Sequence, residues 1–145
     1  MKTRITELFG IKHPVVQAPA NYVGFPRVVA AASNAGGLGI LATGLMTPDS
    51  ARRDIKTVRE LTNKPFGVNL VAGAPGYEDV AQVLVEERVP IIAHARGHID
   101  WLIPETKAKG IKVIQTVGAL RHAVNTEKEG VDALKINQWS PPDYF

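Results

Sequence analysis

Residues 47–70 read TPDSARRDIKTVRELTNKPFGVNL, and this stretch decides the fold. Thr47 can cap a helix, Pro48 suits the first helical position, and Asp49 favours the positive end of the helix dipole. Ile55, Val58 and Leu61 then fall on one stripe at helical spacing, and Asn63-Lys64-Pro65 stops the helix. Phe66–Leu70 follows as an apolar run too short for a buried helix, which makes it a strand.

The same unit recurs in both directions from this stretch. Further apolar runs lie at Pro14–Ala18, Leu38–Ala42, Pro90–Ala93, Ile111–Val117 and Asp132–Ile136. Helix patterns lie at Pro26–Ala35, Tyr77–Glu87 and Gly118–Glu129, where Leu120 and Val124 form the apolar stripe and Gly130 the C-terminal cap. Residues 99–109 are the weakest helix pattern, because Pro104 forces either a start near itself or a kink. Successive strand starts are about 20 to 28 residues apart, compact for strand–helix units. Continuous rather than alternating apolarity predicts strands covered on both faces, as parallel strands are. Strict alternation of strand and helix implies an α/β fold with right-handed crossovers. An open doubly wound sheet and a closed eight-stranded barrel both satisfy it.

At 145 residues the chain accommodates one domain with a sizeable core. Hydrophobic residues at 45% and charged residues at 21% are ordinary for a globular protein. The net charge of +3 is scattered rather than blocked, which argues against nucleic acid as a partner. The absence of cysteine excludes disulfides, thiolate metal sites and a thiol nucleophile. No apolar run reaches membrane-spanning length, so the expectation is a cytoplasmic protein without a membrane role.

In either architecture ligands gather where strands end. That rule selects Gln17–Asn21, Thr43-Gly44, Asn69, His94–His98, Gln115-Thr116 and Asn137–Tyr144. Residues 7–19 (ELFGIKHPVVQAP), 31–39 (AASNAGGLG), 61–70 (LTNKPFGVNL), 110–115 (GIKVIQ) and 130–133 (GVDA) resemble, in order and spacing, the nitronate monooxygenases, formerly called 2-nitropropane dioxygenases. The resemblance covers roughly residues 4–137. It implies a partial (β/α)8 TIM barrel of about five and a half βα units with six parallel strands. The chain 1–145 is then a single domain, the truncated N-terminal part of an FMN-binding barrel.

The implied activity is flavin-dependent oxidation of an alkyl nitronate by dioxygen, with FMN as cofactor; a related flavin enoyl reductase is the alternative enzyme. The resemblance carries cofactor contacts onto Gln17, Ala18, Pro19, Ala20, Asn69, Gln115 and Thr116. Ala20 stands where many members have methionine, and Thr116 where some have lysine. Tyr144 occupies the position of the family histidine, and a tyrosine with a pKa near ~10 is a poor general base. The segments that usually hold the FMN phosphate lie beyond the six strands. A non-catalytic fragment, or a scaffold that self-associates through exposed barrel edges, is therefore the competing expectation.

Structural readings stand beside these. Asn69 and Gln17 could serve backbone groups at strand ends, and Gly36-Gly37 has sufficient reason in helix termination. His94 and His98 are four apart, but a catalytic zinc needs three ligands, so no metal is expected. His94 reads instead as a loop histidine, and Arg96 as a surface residue or an anion contact. Arg52 and Arg53 read as a solvated helix face.

Overall fold

The computed structural model describes residues 2–95 and 100–136. Arg96, His98 and Tyr144 lie outside the described residues, and so do the expectations placed on them. Among the described residues the order is α1 (Arg4–Phe9), α2 (Pro26–Asn34), β1 (Gly39–Leu41), α3 (Pro48–Leu61), β2 (Phe66–Val71), α4 (Tyr77–Glu86), β3 (Ile91–Ala95), α5 (Leu102–Ala108), β4 (Lys112–Val117), α6 (Leu120–Glu129) and β5 (Ala133–Ile136). Every strand pair is parallel, and the spatial order β1-β2-β3-β4-β5 repeats the order in sequence. That order decides between the two architectures left open above. A doubly wound sheet reverses its winding and places some neighbours out of sequence order, whereas a barrel adds each strand beside the last. The fold is part of a (β/α)8 barrel.

Of the six expected strands the first is reduced to a single parallel bridge, Val16 to Leu38. Leu38 N donates to Val15 O and Gln17 N donates to Leu38 O, each at 2.9 Å. The ladder stops there because the N–H of Ile40 bonds to the side-chain Oε1 of Gln17, at 3.1 Å, instead of a backbone carbonyl. Gln17 thus replaces a rung of the sheet with its own amide.

The helix signals hold at α3, where the Thr47 hydroxyl accepts from Ser50 N at 3.3 Å and Pro48 is the first helical residue. Pro104 falls in the first turn of α5, where a missing N–H costs nothing. The opening helix α1 was not foreseen; it starts in a reciprocal cap between Thr3 and Thr6 and stops at Gly10, φ 66°. Its local signal is weak, because the third helical residue is threonine rather than the glutamate or glutamine of the usual capping box. The stripe expected on α6 is not covered: the helix buries no residue, and Leu120 is 82% exposed.

The two faces of the sheet carry different cores. Towards the helices, Leu41, Val68, Leu70 and Ile92 pack with Ala51, Ile55 and Val58 of α3 and Val80, Ala81 and Leu84 of α4. On the opposite face Ile40, Ile91 and Ile114 pack with Phe9 and Ile11, which close the end of the barrel where the strands begin. Arg52 and Arg59, expected on a solvated face in the case of Arg52, tie α3 to α4. Arg52 reaches Glu87 at 2.6 Å and Glu86 at 2.8 Å, and Arg59 reaches Glu87 at 2.9 Å.

Candidate functional site

The barrel-interior face of the sheet is mostly apolar where the strands begin, apart from Lys112, which pairs with Asp132 at 3.0 Å, and becomes polar where they end. Side chains alternate between faces along a strand, so residues in register share a face. Asn69 is in register with Ala93, which is in register with Ile114, and Ile114 with Ala133. Ile114, Ala93 and Ala133 belong to the interior cluster, which puts Asn69 on the interior face. Two residues further along, Ala95, Thr116 and Lys135 form the next interior row.

Asn69 is 8% exposed, yet its side-chain amide makes no hydrogen bond to another described residue. Its backbone carbonyl accepts from the hydroxyl of Thr43, which fastens the residue that follows β1 to the second strand. The amide reaches the barrel mouth, where it offers two donors and an acceptor to whatever enters.

Gln115 does not join this row. It is in register with His94, and His94 with Leu70, which places all three on the helix-facing side. There the Nδ1–H of His94 donates to Gln115 Oε1 at 2.6 Å, with both side chains buried. His94 is therefore a residue of β3 and not a loop histidine at the cavity. The strand ends two residues later than its apolar run, and this moves His94 out of the expected loop.

Gln17 is half-buried and its amide is engaged on both sides, by Ile40 N and with the carbonyl of Ala18. Ala18, Pro19 and Ala20 follow it at the rim, with Ala18 and Ala20 exposed. The carbonyl of Ala20 accepts from Val23 N at 3.0 Å and Gly24 N at 2.9 Å, so this rim segment is a folded turn. The structure thus brings Asn69 and Thr116 onto one face, keeps Ala18–Ala20 at the rim, and sends Gln115 to the other side. It adds Lys135, which sequence reasoning missed. Only the register with Thr116 shows that this cation faces inward; a four-residue strand of mixed polarity carries no such signal.

The group that the resemblance implies, FMN, can be tested against these residues. An amide able to give and accept, a hydroxyl one row above and an ammonium beside it suit a flavin ring edge that displays donors and acceptors. The interior beneath them, Ile40, Ile91 and Ile114, is apolar and keeps water out from below. The residues fit.

Residues 2–87 match the family described as nitronate monooxygenase. Over 136 residues the chain is 41% identical to a 5-hydroxy-7a-methyl-1-oxo-octahydro-1H-indene-4-carboxyl-CoA dehydrogenase of Rhodococcus jostii, covering 94% of this chain and 38% of the relative. It is 31% identical to a nitronate monooxygenase of Paraburkholderia phytofirmans, covering 92% of this chain and 47% of that protein. Among solved structures, FabK of Thermotoga maritima superposes with a TM-score of 0.89 at 40% identity, covering 92% of this chain and 43% of FabK. The chain thus spans less than half the length of these relatives.

Proposed function

The chain belongs to the nitronate monooxygenase family, and from that premise we propose that it forms the ring-facing side of an FMN-dependent oxidoreductase that oxidises an alkyl nitronate with dioxygen. The observation that supports this most is Asn69, a residue only 8% exposed whose amide lies on the interior face with no hydrogen-bond partner among the described residues. FMN, when bound, supplies the redox step, taking electrons from the substrate and passing them to dioxygen. The residues of this chain bind and orient. Asn69 holds a ring edge through its amide, Thr116 adds a hydroxyl above it, and the turn at Ala18–Ala20 borders the mouth. Lys135, in register with Thr116, lends positive charge to an anionic substrate or to an electron-rich ring. A nitronate is already the conjugate base of a nitroalkane, so its oxidation requires no proton abstraction by this part of the barrel.

A second reading, in which the substrate is an enoyl or other CoA thioester, is favoured by one observation. Identity is higher to the CoA dehydrogenase than to the Paraburkholderia nitronate monooxygenase.

Adding FMN to the purified chain and recording the flavin absorbance tests the shared premise. Binding should perturb the flavin bands, and Asn69→Ala should weaken it about tenfold, as expected for one lost buried hydrogen bond of about 1.5 kcal/mol. A spectrum of FMN unchanged by the protein would sink the reading. Oxygen consumption with propyl-2-nitronate, set against reduction of crotonyl-CoA with a reduced nicotinamide added as electron donor, then separates the two substrates.

A further inference from the structure

Beyond Ala20 the chain makes a second feature of the same rim. Tyr22 is held at φ 63°, in the left-handed region that a bulky aromatic residue rarely adopts, and is 79% exposed. Phe25, at the start of α2, is 51% exposed, and Leu45, on the loop after β1, is 68% exposed. Between the two loops lies a cavity of about 130 Å³ walled by Tyr22, Phe25, Leu45 and Met46, with Asn21, Gly24 and Ala42 completing it. No residue lining it carries a charge.

The loops are fitted to each other. Ala42 N donates to Gly24 O at 3.1 Å, and a Cβ on Gly24 would stand 3.0 Å from the Cβ of Ala42 and 3.1 Å from its nitrogen. A Cβ on Gly44 would meet the Asn21 amide at 3.2 Å. Thr43, between Ala42 and Gly44, is the residue bonded to Asn69, so the notch adjoins the row that faces the flavin position.

We propose that this notch is a subsite for an apolar segment of the substrate, a ring or a branched alkyl group about the size of benzene. The idea rests on the oxidoreductase reading and narrows its substrate to one with a hydrophobic body. Three arguments carry it. An apolar cavity of roughly 150 Å³ takes up benzene, so the volume matches one ring. Ligands of parallel α/β barrels gather at this rim. An exposed aromatic held in a strained backbone conformation, lining the same uncharged cavity as a second aromatic, offers contact area at low cost in side-chain freedom.

The test needs no flavin, so its failure and failure of the FMN reading are separable. Methyl resonances of the full chain are followed by nuclear magnetic resonance while benzene is added. Saturable shifts are expected at Met46, Leu45 and Ala42, with the core methyls of Ile55 and Val58 unmoved. Phe25→Ala should weaken the benzene affinity about fivefold, and Leu45→Trp should fill the notch and abolish the shifts. Phe25 and Leu45 are more than half exposed, so both variants should keep the circular dichroism of the parent chain. Shifts spread through the core, no shifts at all, or unchanged affinity in Leu45→Trp would overturn the proposal. So would concentration-dependent shifts at Met46 and Leu45 without benzene, which would make a second copy of the chain the occupant.

Discussion

At Gly39 an added Cβ would lie 2.1 Å from the carbonyl oxygen of Val29 and 2.8 Å from its carbonyl carbon. The contact is with backbone, so no side chain can swing away, and α2 must move off β1 to make room. Gly39→Ala is expected to destabilise the chain by about 3 kcal/mol, at the upper end of overpacking costs, measured by urea denaturation. A loss within error of zero would show that α2 is free to shift. Glu86 behaves differently. Its hydrogen bond with Arg52, and then the one with Gln82, hold its carboxyl below the ordinary value of 4.5. A folded-state pKa below the unfolded one contributes stability that is present above the unfolded value and lost as pH falls through the folded one. Glu86→Gln should therefore lower the melting temperature slightly at neutral pH, with the difference shrinking as pH falls below the ordinary carboxylate range. Because the pair is exposed, molar salt should shrink the difference as well. Equal melting temperatures at neutral pH would show that the ion pair stabilises nothing.

Among the elements, α3 was the most legible. Its cap, its proline and its stop are local features, and a local feature is fully written in sequence. Two substitutions separate its sources of stability. Thr47→Ala removes the hydroxyl that accepts from Ser50 N and should cost about 1 kcal/mol. Ile55→Ala removes a fully buried side chain from the helix-facing core and should cost about 3 kcal/mol. Thermal denaturation of both variants checks the ranking, and a Thr47 cost equal to that of Ile55 would contradict it. The first strand was legible in place but not in extent. Nothing in the run Pro14–Ala18 announces that the Gln17 side chain will take the Ile40 N–H and end the ladder after one bridge. The helix over residues 102–108 shows the converse, since Pro104 was visible but only the position of the first turn made it harmless.

Across the whole molecule the two cores are unequal in cover. The centre of the sheet, β2 and β3, is flanked by strands and by α3 and α4. At one end β5 is mostly exposed, with Ile136 at 71%, and α6 above it buries nothing. Local opening should follow that gradient, because segments with few buried contacts open at low free energy. Amide hydrogen exchange is expected to be fast over residues 120–136 and slowest in β2 and β3. Uniform protection along all strands would contradict it and would require a cover for β5 in solution.

Taken by itself, the order of apolar runs and helix signals determined a parallel α/β fold, the positions of its strands to within a residue or two, and the resemblance that points to a flavin. These follow from periodicity and capping, which act between near neighbours in the chain. Only the tertiary structure decided which face each strand residue occupies, because facing depends on register with strands about twenty residues away. Register put Asn69, Thr116 and Lys135 on one side of the sheet and turned Gln115, the neighbour of Thr116, to His94 on the other.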